Sequence, residues 1–336
     1  MMPRNLSFLV ATVTPAALVA AAAIMGEGWV IAAVVFQGGL GSLLDRLIRR
    51  NRPPDDATSA TGLPLLLAVC HFVLLALCVL ALSSTQLGPV EKLGLFFAAG
   101  LWLGQVSNAN AHELIHRRNR HLFALGKWIY VSLLFGHHTS AHLLVHHIHV
   151  ATPSDPNTAR KGESLYRYLA RAWRGSFLLG LRAENNRSAS SGRAIWRHPY
   201  VHYLAGSAGF IILAFLTCGS AGTLAYVALC LHAQSQLLMS DYVQHYGLMR
   251  RKMGPASFEP VGPQHSWNSP HWFSSALLLN ATRHSDHHTR PMQPYPALAL
   301  PQTAPLLPRP LPVMATIALL PPLWRRLMDP RLPDSG

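Results

Sequence analysis

Residues 93–116 read LGLFFAAGLWLGQVSNANAHELIH. The stretch Leu93 to Val106 carries no charge. Fourteen helical residues cover only about 21 Å, short of the ~30 Å hydrocarbon core of a bilayer. The segment reaches full length only if the helix continues through Gln105-Val106-Ser107-Asn108-Ala109-Asn110. It then delivers His112 and His116 at its far end. A membrane helix ending in paired imidazoles is the unit from which the rest of the chain can be read.

Five further runs are uncharged: Phe8 to Met25, Trp29 to Leu44, Leu63 to Leu82, Val201 to Cys218 and Ala221 to Met239. Half of the 336 residues are hydrophobic and only 12% are charged. A soluble core has no use for so many uncharged stretches of this length. The predicted fold is an all-α integral membrane protein with about six transmembrane helices in three hairpins, Phe8–Leu44, Leu63–Asn110 and Val201–Met239. Arg4 followed by an apolar run resembles a signal peptide, but Gly26-Glu27-Gly28 leaves no room for a mature domain to begin, so an uncleaved hairpin is expected. Leu122 to Gly136 holds Lys127 and is read as a re-entrant or interfacial helix. Val313 to Leu323 is too short to span, and Pro321-Pro322 stops a helix there. The expected organisation is helices 1–4 in 1–110, two histidine clusters with a basic region in 111–200, helices 5–6 in 201–244, and a histidine-containing cap with a tail in 245–336.

The formal charge of +14 falls in blocks. Arg46, Arg49, Arg50 and Arg52 follow the second run. Arg117, Arg118 and Arg120 follow the fourth, nine basic residues from Arg160 to Arg197 precede the fifth, and Arg250, Arg251 and Lys252 follow the sixth. Alternating sides from a cytoplasmic amino terminus puts all of them on one face, as the positive-inside rule requires. This assigns the protein to a bacterial inner membrane with its histidines on the cytoplasmic side. No basic stripe is interleaved with aromatics, so nucleic-acid binding is not indicated. Cys70, Cys78, Cys218 and Cys230 lie inside apolar runs without Cys-x-x-Cys pairing, which argues against iron–sulfur, thiolate-zinc and disulfide frameworks. Redox chemistry here needs an outside electron source.

Histidine is the commonest metal ligand. His112 and His116 share one helix face. His142 and His146 repeat that spacing, with His147 alongside, and His284, His287 and His288 do so again near the carboxyl end. His245 comes after the sixth helix. Consecutive helical residues diverge by about 100°, so each adjacent pair is expected to serve two different ions. Nine imidazoles at one depth exceed the needs of a mononuclear site, which points to a dinuclear metalloenzyme. The His-Glu-x-x-His tract around Glu113 also matches a zinc-protease signature, but a zinc site takes three ligands and leaves the remaining histidines unexplained. His71, His121, His198 and His232 are read as packing residues. His137, His138, His149, His265 and His271 are left open.

These motifs resemble the integral-membrane alkane 1-monooxygenases, within the membrane fatty-acid desaturases and hydroxylases. The resemblance covers about Asn108 to Pro291. It rests on His112-Glu-Leu-Ile-His116-Arg, on Val150-Ala-Thr-Pro-Ser-Asp155-Pro with Gly162-Glu-Ser-Leu-Tyr166, on Asp241-Tyr-Val-Gln-His245-Tyr-Gly-Leu248, and on His265-Ser-Trp-Asn-Ser269 with Arg283-His284-Ser-Asp-His-His288. It implies six transmembrane helices, a cytoplasmic-side diiron site held by the nine histidines, and O2-dependent terminal hydroxylation of a hydrocarbon. Rubredoxin or ferredoxin, with a reductase, would supply electrons. The second histidine box departs from the family pattern: Ala141 and Val145 stand where Glu and Gly are usual.

Related readings share the site: a lipid desaturase, or a hydroxylase of aromatic methyl groups or terpenes. A metal transporter would need ionisable residues within the spans, which are nearly uncharged. Small electron carriers are typically acidic, and a docking surface is expected over some of Arg117, Arg118, Arg120, Arg250 and Arg251.

Overall fold

The computed structural model describes residues 4–47, 60–192, 194–255 and 257–333. Arg49, Arg50, Arg52, Arg193 and most of the loop 51–61 lie outside the described residues. The described chain is helical, with only isolated bridges such as Lys252 to Phe258 in place of strands. Helix α1 is Arg4–Met25. Helix α2 begins as Glu27–Val35, widens into a π turn at Phe36–Leu40 and continues as Gly41–Leu47. Helix α3 is Gly62–Ser83. Helix α4 starts at Pro89–Trp102, passes through a second π turn at Leu103–Ser107 and ends as Asn108–Ile115. The apolar run of residues 93–106 is thus continued into the first histidine pair without a break.

Helix α5 is Arg120–Ser132. Helix α6 is short, His138–Ala141, a π turn His142–His146, then His147–His149. Helix α7 is Leu165–Ser191 and α8 is Pro199–Gln244. The last 90 residues are mostly loop, with α9 Trp272–Leu277, α10 His284–Thr289, α11 Leu311–Ala318 and α12 Pro321–Met328. Pro321-Pro322 does separate two helices, since Pro321 opens α12.

Among the described residues, four helices are long and apolar enough to cross a membrane: Leu6–Met25, Glu27–Arg46, Gly62–Ser83 and the 46-residue Pro199–Gln244. The last is not straight. Gly219 has φ 63 and ψ −160, a conformation open to glycine, and divides it near the boundary between the two apolar runs read from the sequence. Outward faces carry exposed large apolar side chains such as Ile31, Leu216 and Leu224.

Polar contacts tie the helices to one another both at their ends and along their lengths. Gly26 turns α1 into α2 with φ 65, and Glu91 closes that corner, its carboxylate accepting from Glu27 N at 2.6 Å and Gly88 N at 2.7 Å. Fully buried His71 on α3 bridges Ser107 Oγ in the π turn of α4 (2.6 Å) and Ser132 Oγ at the end of α5 (2.7 Å). Trp102 Nε1 donates to Thr12 O on α1 at 3.0 Å. Asp45, near the end of α2, accepts from Phe273 N and Ser274 N and so caps α9. These contacts fix the floor on which the histidines stand.

Close approach of α4 and α8 depends on two small residues. A side chain at Gly100 would meet the His232 ring, and a Cβ at Gly104 would lie 2.5 Å from Gln236 Cβ. Overpacking of this kind costs about 1–3 kcal/mol. Gly104→Val should therefore lower the thermal midpoint of the purified protein measurably. Gly209→Val, where nothing lies within 4 Å, should leave it unchanged.

Candidate metal centre

The structure gathers the nine clustered histidines into two groups. His112, His116, His142, His147 and His287 form one, and His146, His245, His284 and His288 the other. In each, the nitrogens all lie within 4.8 Å of one another. Either group could hold a metal ion.

The local helical geometry decides which histidine goes where. His112 and His116 project from one face at the end of α4, as their spacing implies. On α10, His284 and His288 share a face and His287 turns to the other group. In α6 the expected pairing of His142 with His146 does not form. The π turn over 142–146 lengthens the repeat to five residues, so His142 aligns with His147, and His146 is directed into the second group. The division of each adjacent pair between groups holds for both His146/His147 and His287/His288. His245 ends α8, with φ −118 outside the helical range.

The ring nitrogens converge through Nε2. In the first group, His142 Nε2 lies 3.0 Å from His116 Nε2 and 2.9 Å from His147 Nε2, which is 3.1 Å from His287 Nε2. In the second, His284 Nε2 lies 2.9 Å from His245 Nε2 and 3.1 Å from His288 Nε2. Neutral imidazoles have one donor and one acceptor each, so such clusters cannot be satisfied by mutual hydrogen bonds alone. Nitrogens about 2.1 Å from a first-row metal and at right angles around it lie about 3 Å apart. The observed spacing fits that arrangement. Burial, reinforced by neighbouring imidazoles, holds His147, His284, His287 and His288 well below the usual histidine range. They are therefore neutral, the form that ligates.

His146 is oriented differently from the rest. Its Nδ1 sits 2.9 Å from Asp155 Oδ2, leaving Nε2 free for the second group. Burial pushes this imidazole down, but the Asp155 carboxylate outweighs it and raises it. Asp155 is fixed in turn by Thr158 Oγ1 (2.7 Å) and Asn157 N (3.0 Å), and Asn157 Nδ2 donates to Asp241 Oδ2 at 2.7 Å. Sequence reading placed Asp155 in a motif but gave it no role. Its signal was a carboxylate nine residues beyond His146, inside a Pro-flanked turn.

Glu113 does not face the imidazoles as a general base. Its carboxylate pairs with Arg117 at 2.5 Å and accepts from Tyr295 N at 3.3 Å, tying the first cluster to the carboxyl-terminal loops. Of the histidines left open, His138 stacks on Phe135 and lies 5.3 Å from the His142 ring, without joining a group. His137 packs against Trp173 and Phe177, His265 meets Glu259 at 3.1 Å, and His271 meets Ser269. His149 also lies outside both groups. Ala141 packs on α7, where a Cβ at Gly180 would come within 3.2 Å of Ala141 N. The buried carboxylate beside this turn belongs to Glu184, which accepts from Ser140 Oγ at 2.7 Å. A cavity reaches the first group past Gln105, Asn108, Leu278 and Leu311 to His112 and His142.

Comparison with known proteins gives a consistent picture. The family model for fatty acid desaturases matches residues 89–313. Alkane 1-monooxygenase 2 of Pseudomonas aeruginosa is 31% identical over 319 residues, covering 90% of this chain and 84% of that protein. Alkane 1-monooxygenase 1 of Alcanivorax borkumensis is 30% identical, covering 90% and 78%. The xylene/toluene monooxygenase hydroxylase component of Pseudomonas putida is 27% identical, covering 73% and 66%.

Partners that orient a ligating histidine commonly matter 10–100-fold to metal affinity. Asp155→Ala should weaken one of two binding events in a Co(II) titration by about that factor, leaving the other near its original affinity. Asp155→Asn, which keeps an acceptor for Nδ1, should recover most of the loss. Equal weakening of both events would mean that Asp155 supports the fold and not His146.

Proposed function

The chain belongs to the fatty acid desaturase family, alongside the alkane 1-monooxygenases, and on that premise we propose that it is an O2-dependent diiron monooxygenase that hydroxylates an apolar hydrocarbon. The observation that carries the proposal is the convergence of nine imidazoles into a group of five and a group of four. His112, His116, His142, His147 and His287 would hold one iron; His146, His245, His284 and His288 the other. Iron suits imidazole ligation and, when bound, supplies the redox chemistry for activating dioxygen, which zinc lacks.

The balance is R–H + O2 + 2e⁻ + 2H⁺ → R–OH + H2O. The protein's own part is to hold, orient and dry the site. The Asp155 carboxylate sets the tautomer of His146, and the Glu113–Arg117 pair with Tyr295 N fixes the first cluster against the cap. Leu278, Leu311 and Ala315 give the cavity apolar walls that position a hydrocarbon beside His112 and His142. An apolar substrate partitions into the bilayer, so a cavity between helices receives it without passage through water. The xylene/toluene monooxygenase relative supports a second reading, in which the hydrocarbon is aromatic.

The same reading gives six spans. Helix α8 bends at Gly219 and counts as two, and α4 crosses with the length gained through its π turn. The basic blocks support a cytoplasmic location for the histidines, and the membrane would be a bacterial inner membrane. The proposed organisation keeps spans 1–4 in 1–110 and 5–6 in 201–244, around the two histidine-bearing regions 111–200 and 245–336.

Electrons would come from a rubredoxin or ferredoxin and its reductase. The docking surface read from sequence narrows to some of its arginines. Arg250 is committed to backbone carbonyls, donating to Val150 O and Ile148 O at 2.8 Å, and Arg117 is paired with Glu113. Arg251 lies 4.0 Å from Glu259. Among these five, exposed Arg118, Arg120 and Arg251 are left to meet an acidic carrier.

Purified active protein should contain two irons per chain; stoichiometric zinc in an active preparation would overturn the assignment. His116→Ala and His287→Ala should each abolish turnover while the protein still inserts into membranes. Salt shortens the Debye length from about 10 Å at 0.1 M to about 3 Å at 1 M. Turnover at limiting carrier should therefore fall with ionic strength, and Arg118→Glu with Arg120→Glu should raise the carrier's KM more than it lowers kcat.

A further inference from the structure

A second cleft, of about 320 Å³, lies between α5, the π turn of α6, α7 and the start of α8. Three of its lining residues are basic: Lys127, Arg187 and Arg197. Neither Lys127 nor Arg197 has a carboxylate partner among the described residues. The wall also contains one buried carboxylate. Glu184 is 4% exposed; its Oε1 accepts from Ser140 Oγ at 2.7 Å, and Ser140 is bonded to Tyr203 OH at 2.8 Å. Arg187 comes only to 3.7 Å, on that same oxygen. Oε2 has no partner. A buried carboxylate oxygen left unpaired is costly, and a cationic donor is the partner that offsets it best.

The cleft lies at the edge of the apolar region. Helix α8 begins at Pro199, which lines the cleft, and its uncharged run starts at Val201. Trp196 and Trp128 nearby are 68% and 39% exposed, as aromatic side chains at a membrane–water boundary are. Phe123, Leu143 and Leu144 form the apolar part of the wall, and Thr139, His202 and Tyr203 add polar groups to it. Phosphate-sized charge, an amine and hydrocarbon are therefore all accommodated within one cleft at headgroup depth.

We propose that this cleft binds a phospholipid whose headgroup carries a primary amine. The phosphate faces Lys127, Arg187 and Arg197, the ammonium meets Glu184 Oε2, and the upper acyl chains lie along Phe123, Leu143 and Leu144. A phosphoglycerol headgroup satisfies the basic residues but offers Glu184 only a neutral hydroxyl, a weaker donor than an ammonium. The bound lipid also packs against Leu143 and Leu144, in the turn that carries His142 and His146.

Native mass spectrometry of the delipidated protein with phosphatidylethanolamine and phosphatidylglycerol of matched acyl chains tests this. The wild type should bind the ethanolamine lipid about tenfold tighter, Glu184→Gln should erase the preference while keeping phosphatidylglycerol binding, and Arg197→Ala should weaken both. Arg197 is exposed, so this last variant remains informative if Glu184→Gln fails to fold. No preference in the wild type, a preference that survives Glu184→Gln, or unchanged binding of both lipids by Arg197→Ala overturns the proposal. Free O-phosphoethanolamine binding as tightly as the lipid would show a small-molecule site and overturn the lipid assignment.

Discussion

Nine lone pairs aimed at two small volumes are the constraint the rest of the molecule answers to. Unfilled, the clustered Nε2 atoms repel, and mutual hydrogen bonds satisfy only some of them. A buried polar atom left unpaired costs about 1–3 kcal/mol, so a flexible scaffold would simply rotate the rings apart. Here it does not, because each ring leaves an element anchored elsewhere. His112 and His116 are held from behind by Glu113, Arg117 and Tyr295; His146 by Asp155; and Ser285, between two cluster residues, by Asn268, whose Oδ1 accepts from Ser285 N at 3.0 Å. The carboxyl-terminal cap also buries Trp267, Tyr295 and Trp324.

The π turns act mechanically. Each inserts a residue into a helix and rotates the segment beyond it, and each lies where rotation is needed. At Leu103–Ser107 the turn places Ser107 against His71 and precedes the histidine pair. At His142–His146 it splits two histidines that regular helical spacing would have put on one side. Membrane helices tolerate such irregularity only where neighbouring groups satisfy the backbone. Close packing of α4 on α8 at Gly100 and Gly104 supplies a protected setting for the turn at Leu103–Ser107.

Much of this was legible in the chain beforehand. Uncharged runs marked the long helices, and the spacing at His112/His116 and His284/His288 gave the faces correctly, because those segments keep a 3.6-residue repeat. The same rule failed for His142 and His146, since nothing in His-Leu-Leu-Val-His announces a five-residue repeat. Arg250 looked like surface charge because its neighbours in sequence are charged; the carbonyls of Ile148 and Val150 that claim it are a hundred residues away. The substitution at Ala141 read as a lost carboxylate, whereas Glu184 supplies one to Ser140 from another helix, a relation that only the approach of α7 at Gly180 reveals.

The contact of Asp45 with the start of α9 joins positions 228 residues apart, and α10, the next helix along, donates to both imidazole groups. Neither group is complete until that segment has left the ribosome. Translation from His116 to His287 occupies roughly 10–30 s at about 5–20 residues per second. Throughout that interval the early imidazoles form an open, incomplete set. Closure then comes to both groups at once, through adjacent residues of one short helix. Biogenesis of the centre is thus a single late event, in which the carboxyl-terminal segment acts as the latch.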